Sequence, residues 1–379
     1  MKKIFVWLVV IALVVTIAFI GIACKASTTT TTTAAAETTA VATTAAAETT
    51  ATPATTAAAA KSYTIGYLLP NTAEGQIMFM ESFRRYAEKE GMKVIDVNAD
   101  SKVENQDKQV TDLISQKVNA LVMTPVDSQA IVAAVDRASE AGIPVFGIDR
   151  QPFSPKVIMT VMSNNYIAGQ QAAQFMVSKL TEKYGEPKGT VLEVTGDLAT
   201  NVAQLRGGGF NDEMKKYPNI KIITEPTDWS PEKGSKVVQN ALAANPDIDG
   251  IFWHSGYTGA GVIAGIKEIG LLKPVGEKGH IIISGIDGDS NELNNIRQGF
   301  QDGTANQPLL DFGILAIYVR KYLDGEKLTT GTYEQAGAKW SPATIEETDY
   351  GLTMQLSTWL VTKENVDDPS LWGNYKPSK

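Results

Sequence analysis

From residue 64 onward, short apolar runs alternate with amphipathic stretches in a nearly unbroken order, and that alternation narrows the available folds most. Residues 64–69, 94–97, 120–123 and 145–148 are short, mostly apolar runs that read as strands. Between them, Phe79, Phe83 and Ala87 repeat at four-residue spacing, Val110, Leu113, Ile114 and Val118 mark a helix face, and Ile131, Val132, Val135 and Ala138 mark another. Gly91 ends the first helix, Asp127 and Ser128 can cap the third, and Gly142-Ile143-Pro144 stops it. The pattern then restarts, with strands at 190–194, 220–223, 250–253 and 281–286 and helices beginning near Asn201, Ser230 and Thr258. Two successive βαβα runs predict an α/β chain of two doubly wound, parallel-sheet lobes with a cleft between them.

Each half contains the tripeptide Gly-Ile-Asp, as Gly147-Ile148-Asp149 and Gly285-Ile286-Asp287, at the end of an apolar run. Open α/β sheets bind ligands at the carboxyl ends of their strands. Two carboxylates at those edges suit recognition of a polyhydroxylated solute, because each can accept hydrogen bonds from adjacent hydroxyls.

The beginning of the chain is of another kind. Lys2 and Lys3 precede an apolar stretch over residues 4–22, and Ala23 is followed by Cys24, the only cysteine. This predicts a signal peptide over residues 1–23 and resembles a bacterial lipoprotein signal, in which Cys24 would be lipidated. Gly21 stands where that pattern prefers Leu, and the stretch is long enough to remain as an uncleaved membrane anchor, so both alternatives stay open. Residues 24–61 are a Thr/Ala-rich linker that repeats the unit Thr-Thr-Ala-Ala-Ala-Glu-Thr-Thr-Ala. With Val41 as its only sizeable apolar side chain past the first few residues, the linker cannot offset the entropy of ordering. Either N-terminal arrangement predicts an extracytoplasmic body tethered to the cell membrane.

Charge and side-chain inventory exclude several functions. The formal net charge is −8, and loss of Lys2 and Lys3 with a signal would take it to about −10. Such a balance argues against a nucleic-acid partner, which needs clustered Lys and Arg. A single cysteine and two separated histidines, His254 and His280, give no metal site and no cofactor expectation. Gly207-Gly208-Gly209 lacks the Lys-Ser/Thr of a phosphate loop and reads as close packing. No Ser-His-Asp order is present, so the chain reads as a non-enzyme.

Several phrases together resemble the ribose-type periplasmic sugar-binding proteins: Val145-Phe146-Gly147-Ile148-Asp149-Arg150-Gln151, Pro125-Val126-Asp127, Asp228-Trp229, Gly285-Ile286-Asp287-Gly288 and Thr304-Ala305-Asn306-Gln307-Pro308. The resemblance covers about residues 63–363 and implies the type 1 periplasmic binding fold, with lobes joined by a three-strand hinge. It implies capture of a sugar for a membrane ABC permease and its ATPase, by a monomer that does not alter the solute. The lactose-repressor-like relatives of this fold begin instead with a DNA-binding motif. By the same resemblance, Asp149 and Arg150 grip the solute from the first lobe, Asp287 from the second, Trp229 packs against the sugar face, and Asn306 or Gln307 supplies a hinge amide.

Departures from the ribose pattern point to another monosaccharide or a polyol. Gln204 stands where ribose binders carry a second arginine, with Arg206 two residues on, and Ser255 stands in place of a cleft asparagine. The loop after the first strand offers Asn71, Glu74 and Gln76 instead of an Asn and Phe pair. Gln204, Ser255, Asn71 and Glu74 are therefore further candidate lining residues.

Residues 352–361 read as a final strand, and the tail around Trp372 resembles that of a subset of these sugar binders, with Trp372 as an anchor on one lobe. Hinge crossings are expected near 162–165, 306–308 and 335–340. This gives an N-terminal lobe of 62–163 plus 308–335 and a C-terminal lobe of 164–307 plus 336–379. The function expected is a solute-binding lipoprotein delivering to an ABC importer. The alternative is a protein that presents ligand to a chemoreceptor or kinase, or captures a sugar-like signal molecule.

Overall fold

A computed structural model describes residues 61–376, which belong to one compact unit. The expected signal peptide over residues 1–23, Cys24 and nearly all of the expected linker lie outside the described residues. No helix among the described residues is long and apolar enough to cross a membrane.

The first sheet begins with β1 (Tyr63–Leu69), β2 (Met92–Asn98), β3 (Ala120–Met123), β4 (Val145–Ile148) and β5 (Val157–Ser163), all paired in parallel. Helices α1 (Glu74–Lys89), α2 (Val103–Ser115) and α3 (Val132–Glu140) connect the first four strands. Alternate residues serve opposite faces, as the two-residue strand period demands. Ala120 and Val122 of β3 join one apolar cluster, while Leu121 and Met123 join another on the far side of the sheet. Both faces of the inner strands β1, β3, β4 and β5 are covered, which is why they read as apolar runs, whereas β2 at the sheet edge carries Lys93 and Asp96 and leaves Ile95 exposed.

Past Asn164 the chain enters the second lobe through α4 (Asn165–Tyr184), whose Asn164 cap accepts from the Ile167 N–H and whose C-terminus closes on Gly185 at φ 75°. There follow β6 (Gly189–Thr195), α5 (Asn201–Met214), β7 (Ile220–Pro226), α6 (Pro231–Ala244), β8 (Ile248–Trp253), α7 (Gly256–Glu268), β9 (Ile282–Asp287), α8 (Ser290–Gln298) and β10 (Gly303–Asn306). The glycine run sits inside α5. A Cβ on Gly209 would lie 1.9 Å from the Tyr166 carbonyl, and one on Gly169 would lie 2.1 Å from the Arg206 carbonyl, so glycines let α4 and α5 touch backbone to backbone.

A 3-10 turn (Leu309–Ile314) and α9 (Leu315–Leu323) then return the chain to the first lobe. Here the observed architecture departs from the sequence expectation. The segment 336–356 does not belong to the C-terminal lobe. β11 (Gly331–Tyr333), β12 (Ala343–Thr348) and β13 (Gly351–Leu356) extend the first sheet, giving the order β11-β12-β13-β5-β4-β3-β1-β2. Trp340, expected in a hinge, is 1% exposed in the first lobe's core and donates to Asp311 at 2.7 Å.

The stretch 352–361 is likewise two strands. β13 runs parallel to β5, whereas β14 (Trp359–Thr362) pairs antiparallel with β10 and completes the second sheet, β14-β10-β9-β8-β6-β7. The third crossing therefore lies at Ser357 and Thr358, between two apolar runs that hydropathy alone cannot separate. Gln171 of α4 fixes it, donating to the Thr358 carbonyl at 3.0 Å and accepting from its hydroxyl at 2.8 Å.

Candidate functional site

The carboxyl ends of the strands in both sheets converge on a cavity of about 80 Å³. By the space one water needs, it holds roughly five to eight water-sized groups, the scale of one small polyhydroxylated molecule.

Asp149 leaves β4 in the left-handed region at φ 65°, and the Arg150 N–H closes back on the Ile148 carbonyl at 2.7 Å. Asp287 leaves β9 at φ 142°, and Trp229 follows Asp228 with φ 60° and 50° respectively. Such conformations cost of order 1–3 kcal/mol each for non-glycine residues and gather where a side chain must be aimed.

Asp149 and Arg150 are buried in the first lobe. Gln76 donates to Asp149 at 2.9 Å, and Arg150 holds the Pro125 carbonyl at 3.1 Å. Burial lowers the Arg150 pKa and the adjacent Asp149 charge opposes that shift. The Arg150 guanidinium lies 5.4 Å from the ring centre of Trp229, a cation–π contact between residues of opposite lobes. Trp229 in turn lies so close over Gly196 that a Cβ there would come within 2.1 Å of its ring.

Across the cavity Asp287 accepts from the Ser255 hydroxyl at 2.7 Å, the Gly256 N–H at 2.9 Å, Gln307 at 2.5 Å and Arg206 at 3.4 Å. Burial raises its pKa, while Arg206 and these donors favour the ionised form. Ser255 also caps α7 by accepting from the Tyr257 N–H. Asn71 and Glu74 line the rim. Glu74 accepts from Ser290 of the second lobe at 2.9 Å.

Two candidates fall elsewhere. Gln204 is exposed and donates to the Leu198 carbonyl at 2.8 Å, whereas Arg206 turns inward, held by Asn165 at 2.7 Å and by the His254 carbonyl. On α5, Val202 and Arg206 are one turn apart and share the cavity face; Gln204, two residues from each, cannot. Asn306 is also displaced. Its amide donates to the Gln307 carbonyl and its oxygen presses toward Gly288, leaving Gln307 alone to reach Asp287.

Gln76, Arg206 and Trp372 complete walls to which the candidate set assigned no role. Helical spacing was the available signal for Arg206; no local signal marked Trp372 as a wall. His254 is buried against Glu193 at 3.0 Å and outside the cavity lining, and His280 staples Lys273 to Asp302. No group of His, Cys, Asp and Glu among the described residues could hold a metal ion.

A family profile described as a periplasmic binding protein domain matches residues 65–327. The ribose import binding protein RbsB of Bacillus subtilis (strain 168) is 33% identical over 273 residues, spanning 71% of this chain and 84% of that protein. A D-apiose import binding protein of Actinobacillus succinogenes is 29% identical, over 60% of this chain and 71% of the other. The crystal structure of a carbohydrate transporter solute binding protein from Agrobacterium radiobacter, in complex with D-arabinose, superposes with a TM-score of 0.69 at 23% identity, covering 81% of this chain and 97% of that one. Backbone architecture and sequence agree: the chain belongs to the ribose-binding-protein-like family of periplasmic sugar- and polyol-binding proteins, non-enzymatic substrate-binding components of ABC transporters, with the type 1 fold.

Proposed function

We propose that the chain is an extracytoplasmic lipoprotein, anchored through Cys24, that closes around one neutral monosaccharide or polyol and delivers it as a monomer to an ABC importer. One observation carries the solute reading. Among the described residues, Gln76 Oε1, Arg150 Nε, Trp229 Nε1 and Gln307 Oε1 are buried without a hydrogen-bond partner, and all four residues line the same cavity. Buried polar groups are rarely left unpaired. Two donors and two acceptors suit hydroxyl groups, which fill either role.

Charge narrows the solute further. Asp149 and Asp287 balance Arg150 and Arg206, and Glu74 and Asp289 add two more carboxyl groups to the wall. A sugar acid or sugar phosphate would meet like charge at Glu74 and, among the described lining residues, no cation without a carboxylate partner, so a neutral solute fits better. The carboxylates, guanidinia and indole bind without chemistry: they orient hydroxyls, cover the apolar face of the solute and exclude water.

The test is a thermal-shift screen of the compact unit, residues 59–379, against D-ribose, D-apiose, D-arabinose, hexoses, xylitol and myo-inositol. A binder present at a hundred times its dissociation constant should add about 2.7 kcal/mol. Asp149→Asn should abolish that gain; an unchanged gain would refute the assignment. Incorporation of labelled fatty acid into the full chain, lost in Cys24→Ala, tests the anchor.

A further inference from the structure

The C-terminal tail, residues 364–376, belongs to neither lobe alone. Leu371 is fully buried in a small cluster with Leu293 and Ile296 of α8. Its neighbour Trp372 is 2% exposed and packs in the first lobe's main core. Consecutive residues are thus embedded in the cores of different lobes. The tail is tied on both sides as well. Arg297 of α8 donates to Asp367 at 2.7 Å, to the Val366 carbonyl at 3.1 Å and to Asn374. On the first-lobe side Lys339 pairs with Asp368, and Arg85 of α1 lies 5.6 Å from the ring centre of Tyr375.

Trp372 also reaches the cavity, where its ring is part of the wall. Its indole N–H donates to the backbone carbonyl of Asp287 at 2.7 Å, and its ring lies 3.9 Å from where a Cβ on Gly75 would sit, beside Glu74 and Gln76. One side chain therefore touches the backbone that aims the second-lobe acid and the first-lobe segment that carries the opposite wall.

We propose that the tail is a strap across the two lobes and that Trp372 is its positioning residue, holding Asp287 in register with the first lobe and limiting how far the cleft opens. Three chain crossings already join the lobes, and the strap adds a fourth connection made only of side-chain and tail contacts. Its strength can therefore be tuned without altering the hinge strands. The affinity consequence rests on the solute reading above; the opening consequence does not.

The experiment uses residues 59–379, a compact unit containing all the cores described. Arg297→Gln releases the tail from α8 without touching the cavity, and Trp372→Phe keeps an aromatic ring while removing the N–H donor and part of the buried volume. Small-angle scattering without ligand should show a larger radius of gyration for both variants. Calorimetry with the tightest binder among D-ribose, D-arabinose, xylitol and myo-inositol should show affinity weakened about fivefold, the size of one net hydrogen bond. Binding by none of these compounds would count against the solute reading, and the scattering arm would still decide the strap. A radius of gyration unchanged in both variants overturns it, and a lowered melting midpoint with unchanged radius assigns the tail to packing alone.

Discussion

At Arg206 and Gln204, two residues on one helix carry opposite expectations. Arg206 forks between Asn165, the His254 carbonyl and Asp287, and a lysine cannot reproduce that planar geometry. Arg206→Lys should therefore weaken solute binding by about 2–5 kcal/mol, the range for disturbing a buried charge pair. Gln204→Ala, on the exposed side, should stay within about 0.5 kcal/mol in the same calorimetric titration. Asp287 adds a pH signature. Burial raises its pKa above the ordinary carboxylate value, and its four donors match only the ionised form. Affinity should be level above the raised pKa and fall as acidification protonates the group, beginning at a higher pH than an ordinary aspartate would show. Asp287→Asn should bind weakly and lose most of that acid limb; a pH profile identical to that of the unchanged chain would exclude Asp287 as its source.

Among the elements, α5 makes the sharpest stability prediction because adjacent glycines meet different surroundings. A Cβ on Gly208 has only the Tyr166 ring within 4 Å, at 3.8 Å, while one on Gly209 would strike a backbone carbonyl at 1.9 Å. Gly208→Ala should stabilise by up to about 1 kcal/mol through helix propensity. Gly209→Ala should destabilise by at least about 2 kcal/mol, because α4 must move away, and paired thermal or urea denaturation checks both. The same elements show what a sequence can convey. Period-two burial on β3 and the four-residue repeat on α1 are local properties, so β1 to β4 and α1 to α3 were legible, and so were Asp149 and Asp287 at strand ends; β5 and α4 were not. The third crossing was not, because Leu356 and Trp359 flank two small polar residues and nothing local says that their strands join different sheets. Nor was the inward turn of Arg206 found by matching motif positions; it follows once residues 201–214 are treated as a helix with a face.

For the whole molecule, the question is what keeps the lobes together when the solute binds. Besides the hinge and the tail, Ser290 donates to Glu74 at 2.9 Å, the Gln151 N–H donates to Asn201 at 3.0 Å and the Ser128 N–H to the Ala199 carbonyl at 3.3 Å. These contacts run from one lobe to the other, so any that opening breaks bias the open–closed equilibrium. A solute that touches both lobes gains its affinity in the closed form, and apparent affinity falls in proportion to the closed population. Ser290 itself is outside the cavity lining, although its partner Glu74 is within it. Ser290→Ala removes one exposed hydrogen bond worth at most about 0.5–1.5 kcal/mol. Where the open form dominates without ligand, that loss translates into affinity weakened about two- to twelvefold. The ligand-free melting midpoint should not move, because neither lobe's core is touched. Stopped-flow and calorimetric measurements on the same sample check both statements. An affinity within error of the unchanged chain would mean that Ser290 and Glu74 meet without favouring closure.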